Sequence, residues 1–476
     1  MVSATVQKFS IWTLTAMVVG SMVGAGIFSL PQAFGRATGP FGALLAWAIA
    51  GVGMLMLAFI FQTLSQRKPD LDAGIYAYAK AGFGNYLGFL SAMGYWSAAC
   101  LGNVSYFVLI KSTLGLFFPV FGDGNTILAV FVSSVMLWTF HSLILRGVKG
   151  AAFVNTIVTI AKIIPILLFI VFVTLGFQAD IFVTNFWGGE EVSAGAIAGQ
   201  VRSTMLVTVF VFVGIEGASV YSRYARDRKD VGIATVLGFL GVLCLLVLVT
   251  IFSYGVMLRS DLAALRNPSM AGVLEAVVGP WGAIFVSVGL LVSVLGAYLS
   301  WVLLAAEILY SASKYDTMPR FLSHENKNGV PSNALWLTNI VVQTFLIITL
   351  FTQYAFRLAL ELTSSMILIP YLLVAAYGFK LAWTRETYDV DPQGYRGDFF
   401  RSALAVLYTA GLIYAAGVEH LLLSAVLYGP GTLLFFIARR EQNKTIFTKA
   451  ELAIFVIAAL GTIVAIYKIA TGLIVI

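Results

Sequence analysis

Thirteen apolar runs, most of them long enough to cross a membrane, constrain this chain more than any other feature. Covering the hydrocarbon with a helix takes roughly 20 apolar residues. Runs of about that length lie at 10–34, 41–64, 86–118, 125–144, 151–177, 204–222 and 232–257, then at 281–311, 333–352, 357–379, 402–418, 420–438 and 451–474. Charged residues make up only 11% of the chain, against about 25% in soluble domains. The fold expected is an all-α polytopic membrane protein with twelve spans plus a thirteenth. The last run, 451–474, carries Lys468 and reads either as that thirteenth span or as a helix at the membrane edge. Before the first run only Lys8 is basic, and the run is too long for a cleavable signal.

The charges test this count. With the N-terminus in the cytoplasm, it and the cytoplasmic loops hold 21 of the 29 Lys and Arg, among them Arg67, Lys68, Arg146, Arg226, Arg439 and Arg440. The opposite side holds five, Arg36, Arg202, Arg259, Arg266 and Arg357, and Lys111, Lys162 and Lys468 fall within runs. Such an asymmetry sets orientation. It also explains the net charge of +7 without nucleic acid as a partner. The two cysteines, Cys100 and Cys244, sit inside apolar runs and support neither a disulfide framework nor a metal site. No cofactor is expected.

Connections between runs are too short for a soluble domain. The longest, 179–203, 258–280, 312–332 and 380–401, have room for short lid or surface helices. Gly74–Lys80, ahead of the third run, reads as such a helix or as an ordinary connector.

Two runs are interrupted. Gly20-Ser-Met-Val-Gly-Ala-Gly-Ile-Phe28 places three glycines inside the first, with Pro31 after them. Glycine loses the most backbone freedom in a helix, so the cluster reads as an unwound hinge or as close helix packing. The sixth run decides between them. Phe210-Val-Phe-Val-Gly-Ile-Glu-Gly217 again sets glycines around its middle, with the carboxylate of Glu216 between them. Interruptions five helices apart are the signature of two inverted five-helix repeats, whose broken helices meet near the midplane where substrate sits.

These stretches resemble the basic amino acid/polyamine antiporters of the amino acid–polyamine–organocation superfamily, and among them the bacterial arginine:ornithine antiporters. The resemblance rests on Gly20–Phe28 and Arg67-Lys-Pro-Asp-Leu-Asp-Ala-Gly74. It rests also on Gly94-Tyr-Trp96 with Asn103, Phe212–Gly217 and Gly296-Ala-Tyr-Leu-Ser-Trp301. It implies a LeuT-like core over residues 1–400, with repeat one at about 10–178 and repeat two at about 201–380. Residues 401–476 would then be peripheral helices. It further implies exchange of one cationic amino acid or amine for another in the bacterial inner membrane, in lipid, with a homodimer possible.

A substrate site follows. Amides at Gly24, Ala25 and Gly26, opening a half-helix, suit an α-carboxylate. Carbonyls near Met22 and Val23, and around Val213, Gly214 and Ile215, suit the ammonium. The resemblance places a stacking tryptophan at Trp301, and cation–π attraction holds a cationic side chain without trapping it. Phe210 could close over the site and Tyr95 and Trp96 could line it, or all three could simply pack. Asn103 offers its amide oxygen to a guanidinium, and Ser364 and Ser365 are further polar candidates. Ala25 stands where the family often has a polar residue, so a side-chain contact to the carboxylate is missing there.

Ionisable groups at membrane depth are functional by default. Glu216 gates the site or fixes the register of its neighbours. Lys162, eleven residues into the fifth run, resembles the family lysine that replaces a sodium ion, so transport should be sodium-independent. Arg357 and Glu361, four apart, read as a helical ion pair. An enzyme would need paired catalytic groups at depth, and the three histidines are scattered; a channel would need a charged ring or repeated filter. The substrate pair stays open among arginine/ornithine, arginine/agmatine, lysine/cadaverine and histidine/histamine, beside a proton-coupled importer.

Overall fold

A computed structural model describes residues 10–71, 74–147, 151–189, 192–216, 226, 228–352, 354–389 and 392–474. The elements are helices, as expected of apolar runs that must pair their backbone groups internally. Among the described residues ten helices are long and apolar enough to cross a membrane, and twelve if each of two bent pairs counts as one span. The first pair is Ile11–Met22 with Gly26–Ala37, bent by 42° at the glycine cluster. The second is Ala161–Leu175 with Ala179–Asn185, turned by 100° at the break between them.

The eleventh and twelfth runs form one continuous helix, Tyr395–Glu441, except at Gly417, whose φ of 77° and ψ of 171° break it. At 1.5 Å per residue an unbroken helix of that length would measure about 70 Å, more than twice the hydrocarbon. The glycine therefore divides it into two spans, 395–416 and 418–441. Lys449–Ala470, at 22 residues, is long and apolar enough to be the thirteenth.

The third span, Asn85–Phe117, and the tenth, Ala355–Thr384, are the most enclosed by protein. The eighth, Pro280–Lys314, packs beside the third. The third and eighth spans are entered alike. A nine-residue helix, Ile75–Phe83, leads through Gly84 (φ 93°) into the third span. A ten-residue helix, Ser269–Val278, leads through Gly279 (φ 85°) into the eighth. Both corners need a left-handed residue, which glycine supplies without steric cost.

The Arg67–Gly74 stretch ends the second span, Pro40–Arg67, at a polar clasp. Arg67 reaches Asp398 at 3.6 Å and stacks its guanidinium 3.7 Å from the Tyr388 ring, while the Tyr388 hydroxyl donates to Asp398 at 2.9 Å. The clasp ties the end of the second span to the start of the eleventh. Asp72 and Ala73 lie outside the described residues.

Candidate functional site

The two interruptions face each other. The Ser21 hydroxyl donates to the Gly214 carbonyl at 2.9 Å. Gly214 has φ 110°, and a Cβ there would stand 2.8 Å from the Ser21 carbonyl group. Only glycine combines that dihedral with that approach. Gly217, the second glycine of the sixth-span break, lies outside the described residues.

Unwinding the first span leaves backbone groups without helical partners. The Gly20 carbonyl, which a continuous helix would pair with the Gly24 amide, instead accepts from Lys162 Nζ at 2.9 Å. Lys162 is 1% exposed, so its ammonium is committed to this backbone. The amides of Ala25, Gly26 and Ile27 meet no backbone acceptor among the described residues. The Gly24 amide departs from expectation: it turns back onto the Met22 carbonyl at 3.0 Å and is not open to a carboxylate. Gly24 instead leaves room for Tyr106, whose hydroxyl would lie 2.8 Å from a Cβ at that position.

A narrow cavity occupies the junction of the first, third, sixth and eighth spans. Of the residues expected there, Met22, Gly24, Ala25, Gly26, Phe210 and Trp301 line it. Tyr95, Gly214, Ile215, Asn103, Ser364 and Ser365 do not. Tyr95 sits behind Trp301, ring centroids 6.4 Å apart, and its hydroxyl donates to Glu216. Ile215 is buried beneath the break. Asn103 lies on the stripe of the third span that holds Trp96 and Phe107. Trp96 donates to Thr338 of the ninth span at 3.0 Å, and Phe107 packs on Tyr298 of the eighth at 4.7 Å. That stripe turns from the cavity, and the Asn103 amide has no protein partner among the described residues.

Ser364 and Ser365 spend their hydroxyls on backbone, Ser364 on Leu206 O at 2.7 Å and Ser365 on Glu361 O at 2.8 Å. The neighbouring Thr363 is the tenth-span residue that reaches the cavity. Val213, expected for its carbonyl, lines the cavity too; Thr363, Tyr106, Val211 and the small residues Ala98, Ala99 and Gly102 line it without having been expected from the sequence. A signal existed for the third span: small residues at 98, 99 and 102 followed by Tyr106 recur at helical spacing and mark one close-approach face.

Two contacts stand near the cavity. The Phe210 ring, which lines it, meets Phe356 edge-on, centroids 6.4 Å apart. Glu216, fully buried two residues after Gly214, accepts from Tyr95, from Tyr371 at 2.9 Å and from the Gly214 amide at 3.3 Å. Three donors satisfy a buried carboxylate. They also link the third, sixth and tenth spans at one point. Chemically, the cavity offers the unpaired amides at the first-span break, an indole wall at Trp301 and the hydroxyl of Tyr106, while the Thr363 hydroxyl is donated to Ala359 O at 2.7 Å. Among the described residues no group of His, Cys, Asp and Glu could hold a metal ion.

A family model described as amino acid permease matches residues 9–460. The chain is 54% identical over 472 residues to the arginine/ornithine antiporter of Pseudomonas aeruginosa, covering 98% of each. It is 40% identical to the L-lysine transport protein of Corynebacterium glutamicum, over 99% of this chain and 97% of that one. It is 38% identical to the arginine/agmatine antiporter of Chlamydia felis, over 98% of each.

Proposed function

The chain belongs to the amino acid permease family, and from that premise we propose that it exchanges external arginine for internal ornithine across the bacterial cytoplasmic membrane. The observation that carries this reading is the pair of facing breaks. They present the amides of Ala25 and Gly26 to a cavity walled by Trp301. The amides suit the α-carboxylate, and the indole suits the distal cation. The relative similar over nearly the whole chain at 54% identity is an arginine/ornithine antiporter.

Alternating access then consists of opening one barrier at a time. The Phe210–Phe356 contact closes the external side and the Tyr95–Glu216–Tyr371 cluster the internal side, with the N-terminus in the cytoplasm as the loop charges indicate. Residues 1–400 form the transport core and 401–476 its peripheral helices. Lys162 takes the place of a coupling ion: its tethered ammonium occupies the carbonyl that unwinding frees, so sodium has no role.

Arginine and ornithine each carry one net positive charge, so their exchange is electroneutral. Exchange of arginine for its decarboxylated amine moves net charge, because the amine has lost a carboxylate. A counter-flow panel tests the pair: vesicles loaded in turn with ornithine, agmatine, lysine, cadaverine and histamine are offered labelled arginine. Uptake is expected to be fastest against ornithine and insensitive to membrane potential. Faster, potential-sensitive uptake against agmatine would assign the amino acid/amine exchange instead.

A further inference from the structure

A second cavity lies end to end with the first, beyond the Phe210–Phe356 contact. Three elements carry the chain from one to the other. Gly26 of the first cavity is followed one turn on by Ser29 and about two turns on by Gln32 of the second; Val207 precedes Val211 by one turn, and Leu360 precedes Thr363. Arg36, Arg357, Glu361 and Asn267 also line this outer space.

The hydrogen bonds there are incomplete in a particular way. Arg357 gives its Nε to Glu361 Oε1 at 2.7 Å. The other oxygen of Glu361 is 3.1 Å from His420 Nε2, so the carboxylate is shared between two elements. Arg36 gives its Nε to Ala263 O at 2.9 Å and lies over the ring of Tyr354, one turn before Arg357. Neither arginine has a partner for its terminal nitrogens among the described residues. Asn267 donates its Nδ2 to Gln32 at 3.0 Å, while its buried Oδ1 accepts from nothing described.

A guanidinium with free terminal nitrogens is a bidentate fork for a carboxylate. A buried amide oxygen without a donor is matched by an ammonium. Two forks and one such acceptor around a single cavity are complementary to the head group of an α-amino acid. With Arg36, Arg357 and Glu361 the space carries net positive charge, which disfavours a cation lacking a carboxylate. We propose that this outer cavity is a capture site for the α-amino-acid head group, with Arg357 and Arg36 taking the carboxylate and Asn267 Oδ1 the ammonium. It admits amino acids ahead of their decarboxylated amines before either reaches Trp301. The inference rests on the antiport reading and on the orientation given with it.

The test uses full-length protein in ornithine-loaded vesicles, with labelled external arginine as substrate and agmatine as external competitor. Loss of a charge-assisted contact predicts that Arg357→Gln raises the apparent KM for arginine about tenfold. The saturating rate and the inhibition constant of agmatine, which has no carboxylate to lose, should each move less than about twofold. Arg36→Gln, on a different span, should give the same split, so a folding defect in one variant leaves the other to decide. Trp301→Ala, in the inner cavity, should shift both ligands together. An unchanged KM for arginine in both arginine variants, or an equal shift for arginine and agmatine, overturns the capture site. Wild-type vesicles with no ornithine-dependent uptake overturn the antiport reading instead.

Discussion

Replacing Lys162 with methionine removes an ammonium while keeping an unbranched apolar stem of nearly the same length. Its Nζ lies 2.9 Å from the Gly20 carbonyl, which has lost its helical partner because the Gly24 amide turns to Met22. Lys162→Met therefore leaves a buried acceptor unsatisfied, at a cost of about 1–3 kcal/mol. If that cost falls on the broken conformation that binds substrate, exchange slows by about 5- to 150-fold. The assay is initial arginine uptake into ornithine-loaded vesicles, in sodium and in choline buffer, with the thermal midpoint of the purified variant measured alongside. The loss is expected to be the same in both buffers. Lys162→Gln, which keeps a donor, should recover part of the rate. Wild-type exchange by Lys162→Met would show that the ammonium does not hold the break. Recovery in sodium alone would show that the site is an ion site that the lysine merely fills.

Two further substitutions probe the cavity. Trp301→Ala should raise the KM for arginine and for ornithine by about 2- to 30-fold, the range of a cation–π contact. The variant should elute and melt as the wild type, and unchanged transport would remove the stacking role. Gly214→Ala forces a side chain into φ 110° against the Ser21 carbonyl, which should cost about 1–3 kcal/mol. It is expected to abolish arginine-dependent thermal stabilisation in detergent; normal stabilisation would mean that the two breaks need not meet so closely.

Much of the fold is written in features that act along the chain alone. Run lengths answer to the thickness of the bilayer, so the spans can be read from hydropathy, and the paired glycine interruptions locate the meeting point of the first and sixth. The division at Gly417 is visible in the same way, since no single helix of that length fits a membrane. The site is less legible because it depends on rotation about each helix. Ser364, Ser365 and Thr363 are consecutive, and 100° per residue decides which of them reaches the cavity. Asn103 carries a polar amide but occupies the stripe of Trp96 and Phe107. Tyr106 becomes a wall residue only because Gly24, far away in sequence, leaves room for its hydroxyl. The turn of the Gly24 amide onto Met22 is a local backbone choice with no side-chain signal. The head-group cavity at Arg36 and Arg357 depends on which guanidinium nitrogens remain free, a property of packing that spacing does not record.

The central claim is obligatory exchange, and loaded against empty vesicles test it most directly. With ornithine inside, external arginine should enter rapidly. With nothing inside, it should not enter, whether or not a proton gradient is imposed. Robust arginine uptake into empty vesicles, driven by that gradient, would contradict the account and make the protein a proton-coupled importer.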